Sequence, residues 1–196
     1  MKMGTKMTKF RDLNLIGLHG KMNAGKDATF ASMNWNSGYT ELRFAEPIKQ
    51  AASLIFGWSR QHIEDRVLKE TVDPFWGFAP RLAMQTMGTE WARKMLRDDI
   101  WLKVAEKSLM SNIAAKRKTV VTDVRFDNEA EWIIACGGVV VEIFDPTLPV
   151  IDSASVHPSE RGVSHEFISY HISNNKDDGL DMLDNRVEDM MASYVP

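Results

Sequence analysis

The stretch Leu13-Asn14-Leu15-Ile16-Gly17-Leu18, then Gly20-Lys21-Met22-Asn23-Ala24-Gly25-Lys26, then Asp27-Ala28-Thr29-Phe30-Ala31, decides how this chain is read. The first segment is apolar or small, as in a strand buried on both faces of an α/β sheet. The second satisfies G-x-x-x-x-G-K, and the third opens a helix. Strand, glycine-rich turn and helix in that order form the context in which this motif cradles phosphates. The turn would wrap backbone N–H groups around phosphate oxygens, and the helix N-terminus would add its positive dipole. The expected loop contacts are Gly20, Asn23, Ala24, Gly25, Lys26, Asp27 and Ala28, with Lys26 reaching the terminal phosphates. The plainer alternative is an ordinary tight turn. One position departs from the pattern: Asp27 stands where Ser or Thr usually ligates Mg²⁺.

Composition bounds the rest. A chain of 196 residues is expected to form one compact domain with a substantial core. Apolar residues make up 44% and charged residues 26%, ordinary for a globular protein. A formal net charge of -3 supplies no global attraction to nucleic acid or an anionic membrane, so neither is an expected partner. The single Cys136 excludes an intramolecular disulfide; it is expected as a small core residue at a helix end. The basic N-terminus is followed by no long apolar stretch, and no run of eighteen apolar residues occurs, so neither leader nor membrane span is expected. A reducing cytoplasm fits this pattern.

Along the chain, strands are expected near 13–18, 40–44, 119–123, 139–144 and 167–173. Helices are expected from the phosphate loop to Met33, from Glu46-Pro47 to Gly57, over 60–69, 81–95, 98–115, 128–136 and 180–194. The loop Asp73 to Pro80 carries three aromatics, which either wall a substrate or pin the loop to the core. Residues 145–165 read as a long loop, a length that is usually functional. Alternating strands and helices imply a three-layer α/β/α fold around a mostly parallel five-stranded sheet. Ligands of such sheets bind outside the carboxyl ends of the strands. Gly20 to Lys26, Arg43, Asp123 and Arg125 all fall at such ends.

Asp123 ends a buried strand about a hundred residues after the loop, where a phosphate-loop enzyme places the acid that holds Mg²⁺. Asp27 and Asp123 are therefore the candidate metal ligands, although Asp123 alone could equally be a turn acid. Arg125 and Glu129 follow on the same strand end. Asn174-Asn175 either borders a base or forms a turn.

Taken in order, these pieces resemble the bacteriophage deoxynucleoside monophosphate kinases, a nucleoside-monophosphate-kinase-like branch of phosphate-loop proteins. The resemblance is carried by Gly25-Lys26-Asp27, by Arg43-Phe44-Ala45-Glu46-Pro47-Ile48-Lys49, and by a helix from Arg81 through Gln85 to Gly88-Thr89-Glu90 with Arg93 and Asp99-Ile100-Trp101 after it. Asp123-Val124-Arg125, His157-Pro158-Ser159-Glu160 and Asn174-Asn175 complete it. It spans roughly 13–185, with 1–12 as a tail preceding a single domain over 13–196. It implies transfer of a phosphoryl group from ATP, with Mg²⁺, to a deoxynucleoside monophosphate.

Under this resemblance Lys26, Asp123 and Arg125 are catalytic, and Asn174 and Asn175 border the adenine. Arg43, Lys49, Arg81, Gln85, Arg93, Trp101, Arg125 and Glu129 would contact the acceptor, within an insertion of about 45–116. Arginine suits this role because guanidinium grips phosphate bidentately. His157, Glu160 and Arg161 would belong to a lid over 145–165 that excludes water. The resemblance is compatible with a homodimer. Two rival readings remain open: a kinase of another small phosphorylated acceptor, as in animal phosphomevalonate kinases, and a non-catalytic nucleotide-binding module, for which Asp27 is the best support.

Overall fold

The structure, a computed structural model, describes residues 8–148, 157 and 161–195. The chain runs β1 (Leu15–His19), α1 (Lys26–Ser37), β2 (Tyr39–Leu42), α2 (Glu46–Phe56), α3 (Arg60–Glu64) and α4 (Pro80–Gln85), which continues as a π-helix over Thr86–Leu96. It proceeds through α5 (Ile100–Ala114), β3 (Lys118–Val124), α6 (Asp127–Ala135), β4 (Val139–Phe144), β5 (Ile168–Ser173) and α7 (Leu180–Ala192). Two compact units result: Arg43–Ala105, and the remainder.

The larger unit holds the five-stranded sheet, in the order β2-β3-β1-β4-β5, with every neighbouring pair parallel. This is the expected α/β class and strand count. β1 is buried along its whole length, which is why its sequence is apolar or small without alternation up to His19. β1 lies between β3 and β4, so the chain leaves the centre of the sheet through the phosphate loop. Around it pack Ile16, Leu18, Val120, Val141 and Ile143, closed by Leu183, Val187 and Met190 of α7. Phe10 joins this core with no exposed surface, and its N–H donates to the Ser193 carbonyl at 3.1 Å.

Cys136 departs from expectation. It is exposed, not a core residue. α6 buries Ala130 and Ile133, and a further turn would carry position 136 onto the same face. The helix instead stops at Ala135, and Gly137 (φ 80°) turns the chain away.

The smaller unit is helical around Ala52, Trp58, Ile63 and Ala83. Two of its loop aromatics take the pinning role, one of the two left open by the sequence. Phe78 and Trp76 contact Phe56 at ring separations of 5.5 and 5.3 Å, and the Trp76 indole N–H donates to the Phe56 carbonyl at 3.0 Å. These two pin the loop. Phe75 stays 84% exposed. Asp73 fastens the base of the loop by accepting the Trp58 indole N–H at 2.7 Å, which holds its carboxyl below the usual range.

Candidate active site

The phosphate loop needs its glycines. Gly20 has φ 148°, and a Cβ there would lie 2.2 Å from the Ile143 carbonyl oxygen. Gly25 has φ 101°, and a Cβ would lie 2.0 Å from Asn174 Nδ2. Asn23 also sits at positive φ (70°), a conformation asparagine tolerates best after glycine. Backbone turned in this way points successive N–H groups into a concavity, and the twelve-residue α1 begins at Lys26 directly behind it.

Lys26 Nζ donates to the carbonyls of Gly20 and Lys21 at 2.6 and 2.8 Å, so its ammonium lies across the loop. Thr29 fixes the first helical turn through Oγ1 to the Gly25 carbonyl at 3.1 Å. Ala24 is fully buried, Ala28 packs against the core, and Asp27 is exposed in the first turn of α1.

The sequence leaves Asn174 either bordering a base or in a turn; its side chain is buried, and its Nδ2 donates to the Ala24 carbonyl at 2.8 Å. It braces the phosphate loop from the end of β5. Asn175 accepts the Asp177 N–H at 3.1 Å and caps a short turn.

At the end of β3, Asp123 is half-buried and Arg125 exposed. Glu129 is 2% exposed and accepts the N–H groups of Arg125 and Phe126 at 2.7 and 3.2 Å. Its carboxylate thereby shapes the turn that carries Arg125. Asp127 takes the N–H and Oγ–H of Ser164 at 2.7 and 2.8 Å. The phosphate loop, Asp123, Arg125 and Asn174 thus all lie at the carboxyl edge of the one sheet. Of the three expected lid residues, His157 is half-buried, Arg161 is exposed, and Glu160 lies outside the described residues.

The other candidates belong to the helical unit. Lys49 pairs with Glu64 at 3.2 Å, and Arg81 with Glu70 at 3.1 Å. Arg43 and Gln85 are half-buried. Arg93 is 6% exposed and its Nη1 donates to the Asp98 carbonyl at 3.0 Å. The Trp101 indole N–H donates to the Gly88 carbonyl at 2.8 Å. Both interactions involve the π-helical segment, where bonding shifts to i→i+5, as in Arg97 N–H to Ala92 O at 3.0 Å. Such segments occur mostly as single turns and are frequent at functional sites.

His19, which the sequence did not single out, is 9% exposed at the end of β1, just before Gly20. Burial pushes its imidazole below the ordinary histidine pKa of 6.5; Lys26 and Arg125 add to this, while the Val124 carbonyl and Glu142 oppose it. A histidine lowered on folding binds fewer protons folded than unfolded. Its contribution to stability is therefore complete above 6.5 and lost as pH falls through the lowered value. We expect the melting temperature to drop less between pH 7 and pH 5 in His19→Asn than in the wild type. Parallel thermal-melt curves would show that His19 does not titrate as its burial requires.

The oxygen donors at hand fit magnesium in one specific sense. Among the described residues no group of three or more side chains could hold a metal by itself. Mg²⁺ does not need such a cage, since it is commonly bound through one or two carboxylates plus substrate phosphates and waters. Exposed Asp27 in the turn behind the loop and half-buried Asp123 at the sheet edge are carboxylates of that kind.

Comparison with known proteins bears on the whole chain. The family model described as deoxynucleotide monophosphate kinase matches residues 58–187. A deoxynucleotide monophosphate kinase of Acanthamoeba polyphaga mimivirus, so named, is 33% identical over 162 residues, covering 74% of this chain and 80% of the relative. The deoxynucleoside-5'-monophosphate kinase of Escherichia phage T5 is 26% identical, covering 86% of this chain and 92% of that protein. Among solved structures, a dephospho-CoA kinase from Campylobacter jejuni aligns over 91% of this chain and 97% of its own at 10% identity, with a TM-score of 0.42, too loose a likeness to carry an argument. Matched over about two-thirds of its length by the family model, the chain belongs to the deoxynucleotide monophosphate kinase family.

Proposed function

We propose that this protein transfers the γ-phosphoryl group of ATP to a deoxynucleoside monophosphate, giving ADP and a deoxynucleoside diphosphate for DNA precursor supply. The observation that carries the reading is a phosphate loop of the required backbone shape in a member of this family. Phosphoryl transfer asks a protein mainly to position two phosphates in line and to stabilise charge spread over their oxygens. Lys26, the loop N–H groups and the α1 N-terminus suit the donor side. Asp27 and Asp123 would hold Mg²⁺, which when bound neutralises charge on the donor phosphates.

For the acceptor we assign Arg125 at the sheet edge and Arg93 in the π-helix, with Arg43, Arg81, Lys49, Gln85 and Trp101 as further contacts. Arg93 is the better preorganised of the two, because its guanidinium is already buried and oriented by the Asp98 carbonyl. Replacing either by lysine keeps the charge and loses the planar fork. Arg93→Lys and Arg125→Lys should each raise KM for the monophosphate about tenfold, on the order of one bidentate contact, with KM for ATP nearly unchanged. A defect confined to ATP would contradict this assignment.

The reading is tested by ADP release with each common deoxy- and ribonucleoside monophosphate as acceptor. Release that depends on a deoxynucleoside monophosphate supports it. Release independent of every acceptor tried would overturn it.

A further inference from the structure

The sheet is irregular at one point beside the phosphate loop. Gly17 pairs with Val121, but His19, two residues on, pairs with Val124, three residues on. β3 therefore carries one extra residue across Thr122–Asp123, and with regular pairing Asp123 would stand opposite His19. Bulges of this kind bend a strand and re-aim its side chains, often next to active sites. The strand is held on either side of the irregular stretch. Thr122 Oγ1 donates to Glu41 on β2 at 2.6 Å. Glu129 takes the N–H groups of Arg125 and Phe126. Between these, His19 Nδ1 lies 3.0 Å from the Val124 carbonyl oxygen.

A carbonyl offers only lone pairs, so Nδ1 must carry the proton. On the other edge of the ring, Val163 N–H donates to Nε2 at 3.4 Å, so Nε2 must be bare. Two backbone partners, 105 and 144 residues away in sequence, thus demand one state, the neutral Nδ1–H imidazole. The Val163 contact is long and weak, but the fit around it is close: a Cβ on Gly162 would lie 3.2 Å from Nε2.

We propose that His19 is a positioning residue for phosphoryl transfer, its Nδ1–H stapling β3 just beyond the bulge and so fixing where Asp123 and Arg125 leave the sheet. The proposal rests on the kinase reading and adds a residue that acts through the Val124 carbonyl. Its geometry allows the two edges of the ring to be separated. Asparagine places an amide N–H near the position of Nδ1 and nothing near Nε2. Glutamine places its amide near Nε2 and leaves the Val124 carbonyl without its donor.

Two measurements on the full chain test it. The imidazole ¹⁵N spectrum, recorded without substrate, should show His19 neutral with the proton on Nδ1 at pH 7.5. In steady-state kinetics, His19→Gln and His19→Ala should lose about ten- to a hundredfold in kcat/KM for the monophosphate, the range typical of residues that orient a functional group, while His19→Asn stays within about threefold of wild type. A proton on Nε2, or an asparagine variant as impaired as the alanine variant, would overturn the staple. So would an alanine variant with wild-type kinetics. If the alanine variant does not fold, the asparagine–glutamine contrast and the spectrum still decide. If wild-type protein phosphorylates no nucleoside monophosphate, the kinase reading falls on its own, and affinity for a non-hydrolysable ATP analogue with Mg²⁺ replaces turnover in comparing the variants.

Discussion

Lys26→Ala should fold like the wild type and lose roughly a hundred- to a thousandfold in kcat, the usual cost of deleting one preorganised electrostatic group at a transferring phosphate. The structure explains why the loss should fall on turnover. The ammonium is held by two loop carbonyls, at 2.6 and 2.8 Å, so it is already placed across the mouth of the loop. Removing it forfeits its bonds to the loop carbonyls, about 1.5–3 kcal/mol each for a charged donor before water recovers part of that at this exposed site. Charge on the γ-phosphoryl oxygens has no such substitute, and stabilisation realised in the transition state appears in kcat. Saturating-substrate kinetics together with a chemical melt separate the two effects. Unchanged kcat would show that this loop does not serve catalysis.

Gly20→Ala should be the most damaging single methyl group in the loop. Position 20 has φ 148°, which side chains rarely adopt, and the added Cβ would meet the Ile143 carbonyl at 2.2 Å. That oxygen belongs to the backbone of β4, a strand paired on both sides, so it cannot swing aside as a side chain could. Backbone strain and overpacking act together here, and we expect a destabilisation of about 3–5 kcal/mol. Gly25→Ala meets only the tip of Asn174, so Asn174→Ala should partly relieve it, whereas no single side-chain truncation should relieve Gly20→Ala. Urea unfolding of the single and double variants checks both statements. A Gly20→Ala protein as stable as wild type would mean that the loop backbone is not held as described.

The sequence made the sheet legible because burial on both faces leaves a direct trace. β1, β3 and β4 are runs of Val, Ile and Leu, and glycines or polar turns separate them from helices of ordinary length. Strand ends moved by a residue or two, as for β1, which ends at His19 and not Leu18. The phosphate loop was legible for a different reason: its motif lies within seven consecutive residues.

What stayed hidden depends on residues distant in sequence. The role of Asn174 comes from a carbonyl 150 residues away, and the bonds of His19 span 105 and 144 residues. Nothing in the spacing of either residue announces such partners. The resemblance makes Glu129 a substrate contact; its burial and its two backbone bonds appear only once α6 is in place. The segment around Trp91 showed apolar residues at mixed spacing. Its buried positions Gly88, Thr89, Ala92 and Arg93 suit the wider turn of a π-helix, a conformation without a sequence signature of its own.

The central claim is that the phosphoryl group leaves ATP for a nucleotide and not for water. Incubation with γ-³²P-labelled ATP, Mg²⁺ and each deoxynucleoside monophosphate, followed by separation of the products, tests it most directly. The account predicts label in a deoxynucleoside diphosphate, at a rate that collapses in Lys26→Ala. Label found only in inorganic phosphate, or left in ATP with every acceptor, would contradict it.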